Sequence, residues 1–221
     1  MSWRLLAPQH WPTWIGLALL RVLEPLPYGL LMRLGRGLGR GVRPLLAGHR
    51  RIARRNLALC LPDQTASERE ALLRQHFASL GCALLETAVS WWSTDERIRS
   101  FTSIDGLENV ERAQQSGRGI LLLSAHFTTI EIGCRALAAR LPLNVMYRPA
   151  ENPVLAHLLT RSRSRQARRA IPRDDVRTLI KALKAGEIVW YAPDQSYRKK
   201  GAEMVPFFGV PAATNTATSR I

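Results

Sequence analysis

The spacing of apolar residues predicts helices in the first half of the chain and alternating strands and helices after residue 100. Leucine and phenylalanine recur at helical spacing through residues 67–92, which predicts a long helix there. Ser67 and Glu70 are spaced as a capping box, in which a hydroxyl and a carboxylate satisfy the first free amides of a helix. We therefore expect this helix to start with Ser67 as its N-cap.

The second half of the chain has the pattern of an α/β fold. Three short apolar runs are typical of buried parallel strands, namely residues 119–124, 143–147 and 187–191. Three stretches have helical spacing, namely residues 130–140, 154–163 and 174–184. Gly186 is expected to end the last of these helices. This order predicts a mostly parallel sheet flanked by helices.

The longest apolar stretch, residues 11–31, opens with Trp11 and Trp14, as an anchor at a membrane interface would. A membrane-crossing helix needs ~20 apolar residues in succession. Charges and prolines interrupt this stretch, namely Arg21, Glu24, Pro25 and Pro27. We expect an N-terminal membrane-associated helix, interfacial or tilted, and an ordinary core helix is the alternative.

The chain carries 32 basic and 17 acidic residues, a net charge of +15. Such an excess favours anionic partners, although a GC-rich genome also raises arginine content. Residues 1–60 hold ten arginines and one acid, so the charge is concentrated beside the apolar stretch. This arrangement favours an anionic membrane surface with the basic side in the cytosol. No nucleic acid is expected, because no helix-turn-helix or RNP motif is present and the tryptophans lie apart from the later arginines.

Two further patterns argue against other kinds of site. Glycines at every second position of residues 35–41 do not form a phosphate loop, because the spacing is not GxGxxG and no GK[ST] follows. We expect a flexible turn there. The cysteines and histidines show no metal-binding spacing, so no metal is expected and the thiols are interpreted as buried and reduced.

Candidate chemistry is concentrated at His126, where a predicted strand ends, and at Glu131, five positions later. On one regular helix the two side chains would point about 140° apart. We therefore expect His126 in the loop and Glu131 in the second helical turn, reaching back to the imidazole. A carboxylate on one ring nitrogen fixes the tautomer, and the other nitrogen can then take a proton from a hydroxyl. A structural histidine is the alternative.

The sequence offers no covalent nucleophile in a recognisable motif, since Ser124 does not lie in GxSxG. This favours direct attack by a hydroxyl of the substrate. The His126-x4-Glu131 spacing is similar to the HX4D/E box of glycerolipid acyltransferases. Further segments resemble, in order, three more blocks of the lipid A late acyltransferases, namely residues 147–149 with 152–153, residues 182–187 with 190–195, and residues 205–212.

The resemblance implies a glycerolipid-acyltransferase-like fold and a cofactor-free reaction. An acyl group would pass from acyl carrier protein to a hydroxyl of a lipid A precursor, in lipopolysaccharide biosynthesis at the cytoplasmic face of the cell inner membrane. His126 would be the base and Glu131 its partner. Arg148 and Asp194 fall in matching blocks: Arg148 would neutralise a phosphate or the oxyanion, and Asp194 would fix Arg148 or a loop. A structural ion pair is the alternative for each.

A basic segment follows the second block and contains Arg161, Arg163, Arg165, Arg168, Arg169 and Arg173. We expect it to contact carrier protein or lipid phosphate, with a solvated face as the alternative. The predicted domains are residues 1–45, an anchoring helix and basic turn, and residues 46–221, an acyltransferase domain. Relatives of this kind usually extend further, so the C-terminal part is expected to be truncated. Two alternatives therefore stay open: a related acyltransferase with another lipid acceptor, and an inactive relative.

Overall fold

A computed structural model of the chain describes residues 3–195 and 202–221, which fall into two compact units. The sheet unit consists of Met1–Pro25, Glu86–Ala125 and Thr129–Ala192. The helical unit consists of Leu26–Leu85, His126–Thr128 and Pro193–Ile221. The predicted boundary at residue 45 stays a prediction.

The sheet unit is built on four parallel strands in the order β1-β4-β2-β3. Their bounds are β1 Ile120–Leu123, β2 Leu143–Tyr147, β3 Arg169–Pro172 and β4 Ile188–Tyr191. The predicted parallel sheet is therefore confirmed, and the three predicted strands match to within two residues. Strand β3 was not predicted, because Arg-Ala-Ile-Pro is not a continuous apolar run. A strand at the edge of a sheet tolerates that terminal proline.

Successive side chains of β4 point to opposite faces of the sheet and build a core on each side. Ile188 and Trp190 pack with Leu143 and Val145 on one face. Val189 packs on the other face with Ile171 and residues of the last helix of this unit. A fully buried aliphatic side chain contributes ~1.5–3 kcal/mol, so these two clusters are the main stabilising feature of the unit.

Helices join and flank the strands of the sheet unit. They are α5 Asp95–Phe101, α6 Leu107–Gln114, α7 Ile130–Ala138, α8 Pro153–Gln166 and α9 Val176–Lys184. Gly186, with φ of +74°, follows α9 as expected. The buried Arg135 fixes α7 by donating to the Asp95 carboxylate at 2.5 Å and to the Ser93 carbonyl at 3.2 Å.

The apolar stretch near the N-terminus does not form one helix. It is divided between α1, Trp11–Leu23, and α2, Tyr28–Val42. The break follows Glu24, which is buried and accepts hydrogen bonds from Arg21 at 2.7 Å, from Arg97 at 3.2 Å and from the Ser93 hydroxyl. Among the described residues, no helix combines the length and the apolar composition that a membrane crossing requires.

The helical unit contains α2, then α3, Ala47–Cys60, and the first part of α4, Ala66–Trp92. It also contains an antiparallel hairpin of β5, Ala202–Phe207, and β6, Val210–Asn215. The hairpin turns through Phe208 and Gly209, both with positive φ. That geometry matches the right-handed twist of the two strands.

The glycine-rich residues 35–41 are helical, so the predicted flexible turn is wrong. They form part of α2, and Gly35 and Gly39 face α4 at Gly81. A Cβ atom added to Gly39 would lie 2.0 Å from the Phe77 carbonyl oxygen, and one added to Gly81 would lie 2.0 Å from the Gly35 carbonyl oxygen. Only glycine permits this approach of two helix backbones, which offsets its poor helix propensity.

The start of α4 also differs from the prediction. The capping pair is Thr65 and Glu68: the Thr65 amide donates to the Glu68 carboxylate at 2.7 Å, and the Glu68 amide donates to the Thr65 hydroxyl at 3.2 Å. Ser67 lies inside the helix. Glu70 accepts hydrogen bonds from Arg43 and Arg54 instead. The predicted pair Ser67 and Glu70 had the same spacing, and the sequence alone did not exclude Thr65.

Candidate active site

His126 lies in the loop between the end of β1 and the start of α7, as the sequence predicts. The Ser124 amide donates to the Tyr191 carbonyl at 2.8 Å, so the β1–β4 pairing continues to within two residues of the histidine. Glu131 is the second residue of α7 and so lies in its first turn rather than its second. Because His126 lies in a loop, its imidazole does not have to point in the direction that a helix would impose on it.

The carboxylate that contacts His126 is that of Asp194. Asp194 Oδ1 lies 2.6 Å from His126 Nδ1, and Asp194 Oδ2 accepts a hydrogen bond from the His126 backbone amide at 2.8 Å. An ionised carboxylate can only accept, so the proton of the first contact is on Nδ1. The neutral imidazole then presents an unprotonated Nε2, which is the nitrogen that a general base requires.

This contact has a simple origin in the sequence. His126 and Asp194 each follow a strand by three residues, β1 and β4 respectively, and these strands are parallel neighbours. Parallel neighbours release their following loops at the same edge of a sheet. The two side chains remain 39% and 38% exposed. The pair is therefore oriented and also open to a substrate.

The Asp194 carboxyl is held in its ionised form. Partial desolvation is the largest single effect and acts to raise its pKa. Hydrogen bonds from the His126 amide and ring, and from the Asp194 amide itself, outweigh it and lower the pKa below the ordinary value. The hydrogen-bond geometry of the histidine is therefore maintained throughout the neutral range.

Glu131 contacts a different residue. Its Oε1 accepts a hydrogen bond from Arg163 on α8 at 3.1 Å, and the Arg163 guanidinium lies 4.9 Å from the ring centre of Tyr147. The Arg163 side chain is only 17% exposed, and its Nη1 atom is buried with no hydrogen-bond partner among the described residues. Glu131 is thus part of a half-buried ion pair of the sheet unit.

Cys134, one helical turn beyond Glu131, is not a nucleophile. Desolvation, followed by the nearby Glu131 carboxylate, raises the pKa of its thiol to about 12. The thiol is therefore protonated at neutral pH, and thiolate rather than thiol is the reactive form. This agrees with the expectation of direct attack by a substrate hydroxyl.

Arg148 and Asn152 of the second block both have partners within the sheet unit. Arg148, 60% exposed, donates to Glu151 at 2.6 Å, and its predicted contact with Asp194 stays a prediction. Asn152 of the same block caps α8 by accepting from the Val154 amide at 2.9 Å and the Leu155 amide at 3.2 Å. That part of the block therefore has a structural role.

The basic segment expected to bind an anionic partner is partly neutralised. Arg163 pairs with Glu131, and Arg168 lies 3.1 Å from Glu187. Arg161 and Arg165 are exposed on α8 and form no ion pair with the described carboxylates. Arg169, exposed on β3, likewise forms no ion pair with the described carboxylates.

The chain was compared with models of known protein families. The model of the family described as bacterial lipid A biosynthesis acyltransferase matches residues 1–221. This chain belongs to that family. It is 41% identical over 211 residues to the lipid A biosynthesis palmitoleoyltransferase of Escherichia coli (strain K12), covering 96% of this chain and 69% of that protein.

Further relatives agree with this assignment. The chain is 40% identical over 218 residues to the lipid A biosynthesis lauroyltransferase of Escherichia coli (strain K12), covering 98% of this chain and 71% of that protein. It is 41% identical over 216 residues to a lipid A biosynthesis acyltransferase of Haemophilus influenzae, covering 97% and 69%. Membership of an acyltransferase family fits an oriented histidine with a free Nε2.

The assignment of His126, Glu131 and Asp194 to an acyltransferase site stays a prediction, and the contact of Asp194 with His126 was not predicted. Asp194 was assigned to Arg148 or a loop, although its position three residues after a predicted strand was a usable signal. Arg163 was assigned to the surface patch, and its contact with Glu131 spans 32 positions with no local pattern to indicate it. Among the described residues, no group of three or more His, Cys, Asp or Glu side chains is placed to hold a metal ion.

Proposed function

We propose that this chain transfers a fatty acyl group from acyl carrier protein to a hydroxyl of a lipid A precursor. The observation that carries the proposal is the exposed imidazole of His126, held through Nδ1 by Asp194, with no partner for Nε2 among the described residues. The family and the names of its members support the acceptor class. The acyl donor is inferred from the resemblance and from the basic surface.

In the proposed reaction, Nε2 of His126 removes the proton of the acceptor hydroxyl as its oxygen attacks the thioester carbonyl. The tetrahedral intermediate then collapses, an ester forms, and the carbon–sulfur bond breaks. The imidazolium returns its proton to the departing thiolate of the carrier. Asp194 stabilises the imidazolium between these two steps. A thioester is already activated, so the reaction requires no cofactor.

Glu131 keeps a place in this proposal as the second member of the HX4E spacing. Its contact with Arg163 supports a role in which the carboxylate and the guanidinium hold each other. Direct support of the imidazole by Glu131 remains the sequence prediction. Removing the Glu131 and Asp194 carboxylates in separate variants distinguishes support of Arg163 from direct support of the imidazole.

Arginine side chains are proposed to receive the charged parts of the substrates. Acyl carrier protein and the lipid A phosphates are both anionic, and Arg161, Arg165 and Arg148 are exposed cations on the sheet unit. Replacing Arg161 and Arg165 by glutamate should raise KM for the carrier at low salt and leave kcat nearly unchanged. Because exposed charges are screened over ~8 Å at physiological ionic strength, high salt should remove the difference. The same KM as the parent chain at every salt concentration would assign these arginines to a solvated face.

The proposed location is the cytoplasmic face of the inner membrane. Four apolar side chains form one exposed stripe on α1, namely Trp11, Ile15, Leu19 and Val22. Each is at least 57% exposed, which is unusual for residues of this size. If the stripe inserts, detergent will be needed to release the protein from membranes. Release by salt alone would contradict insertion of α1.

The reaction is tested by supplying a lipid A precursor and acyl carrier protein loaded with a fatty acid. Mass spectrometry of the lipid should show one added acyl group, formed only with active protein and thioester donor. The same lipid without a free hydroxyl on its hydroxyacyl chains is the control acceptor. Failure to acylate the precursor, with transfer to a different lipid, would exclude the proposed acceptor.

A further inference from the structure

Helix α2 of the helical unit has three distinct faces. The first contains Leu31, Gly35 and Gly39, which are buried. The second contains Leu30, Leu34 and Leu38, exposed by 41%, 43% and 42%. The third contains Arg33, Arg36 and Arg40, all exposed. Residues three and four apart lie on one side of a helix, so each set forms a continuous stripe.

The glycine face determines how the other two faces are presented. Gly35 and Gly39 lie against the backbone of α4 with no room for a Cβ atom. This contact allows α2 little freedom to rotate about its axis, so the leucine stripe cannot turn into the core without separating the two helices. Leucines at every fourth position of a helix are usually buried, and here they remain in solvent.

The arginine stripe indicates that the partner of this surface is anionic. Helix α2 contains no acidic residue. In the described part of the chain, Arg33, Arg36 and Arg40 pair with no carboxylate, whereas the following Arg43 pairs with Glu70. Three uncompensated guanidinium groups beside an apolar stripe complement a surface with anionic phosphates above hydrocarbon. Arginine also suits this position because its stem can lie along apolar surface while its head reaches phosphate.

We infer that α2 lies flat in an anionic lipid surface, with the leucine stripe among the acyl chains and the arginine stripe on the phosphates. The helix has 15 residues and so is ~22 Å long, shorter than the ~30 Å hydrocarbon core of a bilayer. Its charged face is also too broad for a lipid-spanning segment. The inference rests on the proposed function, since an enzyme acting on a lipid acceptor must meet a bilayer.

Vesicle co-sedimentation of the purified full chain tests this surface. The probes are phosphatidylcholine vesicles with and without phosphatidylglycerol. The double variant L34Q/L38Q should bind the anionic vesicles roughly tenfold or more weakly, because each leucine would lose hydrocarbon contact. The triple variant R33Q/R36Q/R40Q should lose the preference for phosphatidylglycerol.

The control is V176Q/I180Q on α9 of the sheet unit. Val176 and Ile180 also lie four residues apart, are 44% and 37% exposed, and are next to the basic residues Arg177 and Lys181. This variant should bind vesicles as the parent chain does. Near-ultraviolet circular dichroism and thermal unfolding confirm that each variant is folded. Equal binding by L34Q/L38Q and the parent chain, or equal losses in both double variants, would overturn the inference.

Two further measurements separate this inference from the proposed reaction. The L34Q/L38Q variant should retain acyl transfer to an acceptor dispersed in detergent and lose transfer to the acceptor in vesicles. His126→Ala should bind vesicles normally and be inactive in both assays. An active His126→Ala would end the proposed mechanism without affecting the α2 surface. Leucine-dependent self-association in solution, without vesicle binding, would assign the stripe to a second copy of the chain instead.

Discussion

The molecule contains two ion pairs from the HX4E region, and they differ in exposure. In the helical unit, His126 and Asp194 are each more than a third exposed and lie 2.6 Å apart. In the sheet unit, Glu131 accepts from Arg163 at 3.1 Å, and the guanidinium is 17% exposed beneath the ring of Tyr147. Both side chains of the first pair are accessible, whereas the guanidinium of the second pair is largely buried.

This difference in exposure indicates different roles for the two pairs, one in the reaction and one in stabilising the fold. An exposed pair contributes little to stability, typically ~0–1 kcal/mol, so its hydrogen bonds chiefly determine tautomer and direction. A half-buried pair is costly to break, because one charge is left without its partner in a poorly solvated place. Changes at Asp194 should therefore alter the rate, whereas changes at Glu131 should alter the rate and the fold together.

The largest effect is expected at His126. His126→Ala removes the base from the exposed pair and should lower kcat by ~10²–10⁴-fold, the usual contribution of general-base catalysis. The free energy of unfolding should change little, because the side chain is exposed. Single-turnover transfer from the carrier thioester measures the effect. A rate near that of the parent chain would assign His126 a structural role.

The next largest effects are expected at the two carboxylates, Asp194 and Glu131, and they should differ in kind. Asp194→Asn should lower kcat by ~10²-fold, because the amide can donate to Nδ1 and so favour the wrong tautomer. Glu131→Gln should lower activity and also destabilise the fold by about 1–3 kcal/mol, a range reduced because Glu131 is one-third exposed. Kinetics and urea unfolding on the same preparations give both quantities.

A double-mutant cycle provides the control for this contrast. Combining Glu131→Gln with Arg163→Gln should recover part of the lost stability, because no charge is then left unpaired. If Asp194→Asn unfolds the protein more easily than Glu131→Gln does, the assignment of chemistry to one pair and support to the other is wrong.

A glycine variant shows whether lost stability alone explains lost activity. Gly39→Ala should destabilise the helical unit by about 1–3 kcal/mol, because the new methyl group meets the Phe77 carbonyl. Gly37→Ala in the same helix has open space and should stabilise by about 0.5–1 kcal/mol through reduced backbone entropy in the unfolded chain. Below its melting temperature, Gly39→Ala should keep its kcat on detergent-dispersed acceptor. A loss of kcat equal to that of Glu131→Gln would show that stability alone accounts for both.

The sequence predicted the parts of the fold that depend on local patterns. Buried parallel strands leave continuous apolar runs, and helices leave regular spacing, so β1, β2, β4 and α7 to α9 were found. Long-range contacts leave no such pattern. The glycines of α2 were interpreted as a turn, because only the partner backbone at Gly81 shows why a helix would use them. The strand β3 was missed because it is not a continuous apolar run, and the hairpin because Pro206 and Pro211 interrupt its two strands.

In the candidate site, too, local features could be predicted from the sequence and long-range contacts could not. The positions of His126 and Glu131 around a strand end followed from local sequence, and the structure places them there. Which carboxylate meets which base depends on strand order, because β4 lies beside β1 although two strands intervene in the sequence. The site role of Asp194 therefore stays a prediction whose partner was not foreseen, and Arg163 was assigned to the surface.

The smallest expected effect is the contribution of the His126–Asp194 pair to the free energy of unfolding at acid pH. Hydrogen bonds from His126 lower the Asp194 pKa in the folded protein below its value in the unfolded chain. A depressed pKa contributes stability that is fully present above the unfolded value, ~3.9 for aspartate, and is lost as pH falls through the lower folded value. The parent chain should therefore exceed Asp194→Asn in stability by less than ~1 kcal/mol at neutral pH, given the exposure of the pair. Urea unfolding of both proteins should show this difference shrinking only below about pH 4, where the aspartate takes up its proton. No difference between the two proteins at neutral pH would show that the Asp194 carboxylate does not determine the stability of the contact.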